Sequence, residues 1–122
     1  MTTYANEVRA AALNGMTALF NNGFFRLLAS ATELAKLTFG ATAFGAATVA
    51  SPSVATANAI TPDTTVTAGS INAFEMQTSA GAVRINGTVG LSGADIVLAD
   101  VVVPSGASSV SCSALQLSLQ IS

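Results

Sequence analysis

The hydrophobic period changes at Asn21-Asn22-Gly23, and that change constrains the fold more than any other feature of the chain. Before it, apolar residues recur at helical spacing. After it, they fall into short runs with the period of two that marks extended strands. A chain so divided predicts one helix followed by a β-rich body.

Residues 4–20 read as an amphipathic helix. At about 100° per residue, Tyr4, Val8, Ala12, Met16, Leu19 and Phe20 share one side, with Leu13 at its edge. Asn6, Glu7, Ala10, Asn14 and Thr17 occupy the other. Thr3 is placed to accept from a first-turn amide as N-cap, and Glu7 complements the positive end of the helix dipole. Asn21-Asn22-Gly23 supplies residues that tolerate positive φ and so ends the helix. Gly15 weakens it, so tertiary packing must hold it in place.

Beyond the break, Phe24–Leu28 and Leu34–Phe39 predict strands, joined through 29–33. From Gly40 to Ala59 the residues are mostly Ala, Thr, Ser, Gly and Val, interrupted by Pro52. This stretch predicts a flexible, weakly structured segment with one strand near Val54–Ile60. Ile71–Thr78 and Ala82–Val89 flank Ser79-Ala80-Gly81, a hairpin signal. A further apolar run, Asp95–Val103, ends at the turn Pro104-Ser105-Gly106. Leu115, Leu117, Leu119 and Ile121 alternate with Gln116, Ser118 and Gln120, the pattern of a strand with one buried face. Val110 and Cys112 lie in the opposite register, so a bulge near Ser113-Ala114 is expected.

These elements fit one domain, since 122 residues is the size of a single ordinary domain. The expected fold class is α+β, mainly β. An N-terminal amphipathic helix (4–20) packs on an antiparallel β-sandwich or irregular barrel spanning 24–122, with 40–59 flexible.

Charge then narrows the function. Only 8% of residues are charged, against about 25% in an ordinary soluble domain. A chain with so few ionised side chains suits a protein held among neighbours, because a dispersed protein relies on a charged surface for solubility. Disorder is disfavoured, since it combines low hydrophobicity with high net charge, whereas here mean hydropathy is +0.61 and net charge −2. Arg9, Arg26, Lys36 and Arg84 are scattered and form no patch that could neutralise several phosphates, so no nucleic-acid binding is expected. Leu37–Pro62 carries a single candidate span by length, but it is rich in Ala, Thr and Ser, and no membrane segment is expected. Met1-Thr2-Thr3-Tyr4 lacks the basic start of a signal peptide.

Catalytic chemistry finds little to work with. Histidine is absent, so a serine nucleophile would depend on Lys36, the one lysine, as its base. Glu33, Asp63, Glu75, Asp95 and Asp100 could pair for glycoside chemistry or ligate calcium. However, tryptophan is absent and no Asp-x-Asp-x-Asp-Gly loop occurs. Cys112 is alone, which rules out an intramolecular disulfide, and it reads as a small buried apolar side chain in a strand. The six phenylalanines read as core. No enzyme activity, cofactor or metal is expected.

The order of several short stretches adds a resemblance. These are Ala31-Thr32-Glu33-Leu34-Ala35-Lys36-Leu37-Thr38-Phe39, Ala43-Phe44-Gly45-Ala46-Ala47 and Val54-Ala55-Thr56-Ala57-Asn58-Ala59-Ile60. They are followed by Ala73-Phe74-Glu75-Met76-Gln77, Ile85-Asn86-Gly87-Thr88-Val89 and Ser92-Gly93-Ala94-Asp95-Ile96-Val97-Leu98. Together, over roughly residues 5–121, the chain resembles small virion structural proteins of tailed phages, of the capsid decoration or cement kind. Members carry a longer connection after the first strand than the one between Leu28 and Thr32 here. The resemblance implies a protein made in the host cytoplasm and placed on the capsid surface of the virion, with no catalytic residues. Its partners would be the major capsid protein and copies of itself, a trimer being one candidate arrangement. A tail or head–tail connector component is the alternative, and a receptor- or carbohydrate-binding β-module a further one. Tyr4, Val8, Met16 and Phe20, on the apolar side of the helix, are the candidate subunit contacts.

Overall fold

The computed structural model describes residues 4–97, 101–106, 109–112 and 115–119. Helix α1 spans Asn6–Ala18, with Ala5 as its N-cap and no side-chain capping bond. The expected cap, Thr3, lies outside the described residues. Glu7 does sit in the first turn. Leu19 remains right-handed, and Phe20 N–H bonds to the Thr17 carbonyl, so the last turn tightens before Asn22 takes a φ of 58°. Gly23 then enters the sheet. A Cβ there would lie 2.1 Å from the Gln77 carbonyl oxygen, so close backbone approach requires glycine at this position.

Strand β1 (Phe24–Ala29) and β2 (Thr32–Phe39) form an antiparallel hairpin. Its connection is tighter than expected: only Ser30 and Ala31 intervene, Ser30 having a φ of 56°. A register shift opposite Leu27 and Leu28 inserts Leu34 as an extra residue of β2, and Leu34 and Ala35 are both buried. The chain continues through β3 (Ser53–Thr56), β4 (Ile60–Thr61), β5 (Gly69–Ser70), β6 (Ala73–Gln77) and β7 (Val83–Gly90). It then forms β8 (Ile96–Val97), β9 (Val102–Val103) and β10 (Gln116–Leu119).

Six strands make the main sheet in the order β4-β2-β1-β6-β7-β8, antiparallel except for the short parallel pair β7–β8. Two smaller ladders, β3–β10 and β5–β9, stand apart from it. The result is the expected class, a helix packed on a mostly antiparallel, sandwich-like β body. The β6–β7 hairpin forms where expected, with Gly81 at a φ of 84°. In β10, Leu117 and Leu119 are half-buried while Gln116 and Ser118 are exposed, as the alternation requires. The expected bulge at Ser113-Ala114 and the strand end at Ile121 lie outside the described residues.

The core lies between the inner face of the main sheet and a cover made by α1 and β3. Phe25, Leu37, Phe39, Phe74 and Met76 point into it from the sheet, with Leu13, Phe20, Phe44 and Ala55 opposite. Tilted rings run through it as a chain: Phe20–Phe39 at 6.2 Å, Phe39–Phe44 at 5.5 Å, Phe39–Phe25 at 6.4 Å and Phe25–Phe74 at 6.0 Å. Ring pairs at such separations add about 0.5–1.5 kcal/mol each beyond area burial.

Two expectations are corrected. First, segment 40–59 is irregular apart from β3, as expected, but its backbone is bonded to its surroundings and several of its side chains are buried. Phe44 bridges to Ala57, and the N–H groups of Gly45, Thr48 and Asn58 bond to the carbonyls of Thr56, Val54 and Ala43. Ala43, Phe44, Ala47, Ser53 and Ala55 are buried. Secondly, α1 packs through a different face from the one expected. Arg9, Ala10, Leu13 and Thr17 are buried, whereas Val8 and Leu19 are exposed. Small side chains at 10 and 17 let the helix backbone approach β3, with Leu13 inserted between them. The polar side has a task as well: the amide oxygens of Asn14 and Asn21 accept the Ala47 and Ala43 backbone N–H groups at 2.8 and 2.9 Å. Hydrogen bonding to the 43–47 backbone therefore outweighs burial of the largest apolar arc.

Candidate interaction surface

Of the four candidate contact residues, the fold keeps two at the surface. Val8 is 46% exposed and Tyr4 37%. Met16 is half-buried against the core, and Phe20 is fully buried. Phe20 departs from the helical angle assumed for it because it follows the end of α1, where the tightened turn swings its ring onto Phe39. It serves the interior and is not available to a neighbour.

The outward face of α1 is still apolar, through residues the candidate set left out. Ala11, Ala12, Gly15 and Ala18 are exposed along it, and Leu19 is 49% exposed at its end. Beyond Glu7 no exposed charge lies on the helix, since Arg9 is buried with its Nη1 donating to Asn6 Oδ1 at 2.8 Å. Val49, in the segment that Asn14 and Asn21 hold beside the helix, is 60% exposed. Leu19 and Val49 could have been suspected from their size. Leu13 already lies at the edge of the apolar side in the sequence, whereas nothing local signals that Thr17 turns inward.

The charges gather on the far side, on the outer face of the main sheet. Arg26 and Lys36 are directly opposed on β1 and β2, which places two cations side by side. Each is drawn to a separate partner. Arg26 Nε reaches Glu33 Oε1 at 2.6 Å, and its Nη1 pairs with Glu75. The hydrogen bond to Glu33, and then the negative charges of Glu33 and Glu75, hold the Arg26 guanidinium above its ordinary pKa despite partial burial. Lys36 leans away, its Nζ 4.2 Å from the centroid of the Phe24 ring.

The remaining carboxylates bind backbone. Asp63 Oδ2 accepts the Lys36 N–H at 2.8 Å and its Oδ1 the Thr65 N–H at 2.8 Å. Asp95 Oδ2 accepts the Thr88 N–H at 2.9 Å. Asp100 lies outside the described residues. Among the described residues no group of three or more His, Cys, Asp or Glu is placed to hold a metal ion, and no helix is long and apolar enough to cross a membrane. Cys112 is half-buried outside any strand, beside a cleft of about 280 Å³ shared with Ala57, Ile60 and Leu115, a correction to its expected strand position. Phe24 is the phenylalanine that serves the outer face; the other five are buried.

Comparison of the chain with family models, with curated proteins and with solved structures finds no match.

Proposed function

We propose that this chain is a virion structural protein of a tailed phage, a capsid decoration protein that stabilises the head by bridging capsid subunits. One observation carries the reading: a charged cluster on the outer face of the main sheet and the uncharged outward face of α1 lie on opposite sides of that sheet, while Val83, Leu91 and Val102 are exposed elsewhere. Arg26, Glu33, Lys36 and Glu75 share the outer face of the main sheet. Beyond its first turn, α1 turns an uncharged face outward, ending at Leu19. A decoration protein needs this division, with one side seated on a neighbour and the other facing water. Exposed contiguous apolar surface marks an interaction site, and interface centres are depleted in charge.

The seat is the exposed helix face, with Val8, Ala12 and Leu19 against the major capsid protein and Glu7 at its rim. The charged sheet face then forms the outside of the particle. Copy number tests the reading. Quantitative protein staining of purified particles should give a number on the scale of the shell's own subunits. A number fitting a single ring would assign the chain to a connector or tail instead, and absence from the particle would end the virion reading.

A further inference from the structure

The ladder β3–β10 helps to cover the inner face of the main sheet, and among the described residues no strand continues it beyond β10. There a cleft of about 380 Å³ opens, with Phe74, Met76 and Ile85 on its floor and residues 115–118 along one wall. The other strand of the ladder is bonded on both sides. Gly45 and Thr48 N–H groups reach the Thr56 and Val54 carbonyls, and Ala57 N–H reaches the Leu115 carbonyl.

That last bond sets the phase of the ladder. With Leu115 bonded towards β3, Leu117 and Leu119 bond the same way. Gln116 and Ser118 therefore turn their N–H and carbonyl groups outward. Among the described residues nothing bonds to those four groups.

A carboxylate stands in the same cleft. Gly87 pairs with Phe74, so a side chain at 87 would share the inward face of Phe74. Its absence makes room for Asp95, whose Oδ2 lies 2.5 Å from where a Gly87 Cβ would sit. That oxygen accepts the Thr88 N–H at 2.9 Å and the Thr88 hydroxyl at 3.2 Å. Among the described residues Oδ1 accepts no hydrogen bond, and Asp95 has no cationic partner.

We propose that β10 and this cleft take an extended peptide segment of a partner protein. The segment pairs antiparallel with Gln116 and Ser118, seats an apolar side chain opposite Leu117, and presents a basic side chain to Asp95 two residues later. The backbone part of the contact is addition of a strand to an open edge. The side-chain order follows from the extent of the cleft. Opposed residues share a face, so the one opposite Leu117 points to the floor beside Met76 and Ile85. The cleft reaches Leu115 but not Leu119. The next inward residue therefore lies opposite Leu115, two positions later in an antiparallel segment. A basic side chain there meets Asp95 in a site that the segment itself shields from water, where opposite charges attract more strongly. An acidic one would set like charges together. None of this rests on the virion reading, since neither the helix face nor the shell takes part.

Titration of the isotope-labelled protein with acetyl-Thr-Val-Thr-Arg-Thr-amide, followed by amide nuclear magnetic resonance up to about 10 mM peptide, tests the proposal. The Gln116 and Ser118 amide signals should shift saturably, with a Kd near the millimolar range expected of a short segment. Asp95→Asn keeps an oxygen for Thr88 and should weaken binding about fivefold, the worth of one partly exposed ion pair. The peptide with Glu in place of Arg, and the peptide N-methylated at its first and third residues, should both fail to saturate. Absence of saturable shifts with the parent peptide would overturn the proposal. So would equal binding of the N-methylated peptide, equal binding of the Glu peptide, or unchanged affinity in Asp95→Asn.

Discussion

Asp63 accepts the backbone N–H of Lys36, 27 positions earlier in the chain, and so covers a donor that the outer edge of β2 would otherwise present. Its second oxygen holds Thr65 N–H, which fixes the segment that runs along this edge. Open strand edges template pairing with other chains. Asp63→Ala therefore has two expected effects. Stability falls by about 1–2 kcal/mol, the scale of losing charge-assisted hydrogen bonds near the surface. Aggregation on heating also rises. Urea denaturation and light scattering measure the two, and a variant as stable and as soluble as the parent would show that the edge needs no such cover.

Arg26 joins three strands through Glu33 and Glu75. Partly exposed pairs are each worth about 1 kcal/mol or less, so Arg26→Gln should cost about 1 kcal/mol, and the difference should shrink in high salt. The pH dependence follows from the raised pKa of the guanidinium. A group whose pKa is higher folded than unfolded contributes fully below its unfolded value and loses that contribution as pH rises through the folded one. Arginine's unfolded value is so alkaline that titration of Arg26 itself should leave stability flat across neutral pH. A stability step near neutral pH that disappears in Arg26→Gln would contradict this assignment.

The two asparagines that fasten segment 43–47 to the helix should not be equivalent. Asn21 serves the N–H of Ala43, which is 1% exposed, while Asn14 serves that of Ala47 at 8%. An orphaned buried N–H costs about 1–3 kcal/mol. Asn21→Ala should fall towards the upper end and Asn14→Ala towards the lower. Hydrogen exchange at the two amides checks the order directly: protection at Ala43 should drop in the first variant and at Ala47 in the second.

Gly23 is a third point of sensitivity. Gly23→Ala forces a methyl group against the Gln77 carbonyl, and overpacking of this kind costs about 1–3 kcal/mol. Gly15→Ala, on the open helix face where a Cβ meets nothing within 4 Å, should stabilise by up to about 1 kcal/mol through helix propensity. Thermal denaturation of the pair should therefore move in opposite directions.

How much of this was legible from residues alone varies with the kind of contact. The strands from Phe24 to Phe39 and the β6–β7 hairpin were readable, because large apolar side chains with period two have few other uses. Leu117 and Leu119 were readable for the same reason. The buried face of α1 was not. Its size ranking favoured Tyr4, Val8 and Met16, whereas the packing selected Ala10 and Thr17 for their smallness. Segment 40–59 gave no period because Ala, Ser, Thr and Gly fit either environment. Its order depends on Phe44 and on hydrogen bonds to distant asparagine side chains. The edge-covering role of Asp63 was likewise hidden, since no local pattern relates it to Lys36. The candidate contact set was half visible, with Tyr4 and Val8 outside and Phe20 inside.

The placement of Leu13 and Phe20 also decides how the docking face can be probed. Removing residues 1–22 would take both out of the core, so loss of binding on truncation would report unfolding. Surface substitutions avoid this difficulty. Val8→Lys with Leu19→Lys should each change stability by no more than about 0.5 kcal/mol, as exposed positions usually do.

Co-sedimentation of that double variant with particles assembled without this chain is the most direct measurement. The wild type should load the shells to saturation, and the equally well folded variant should stay in the supernatant. Equal loading by both would mean that the uncharged helix face is not what seats this protein on its neighbours.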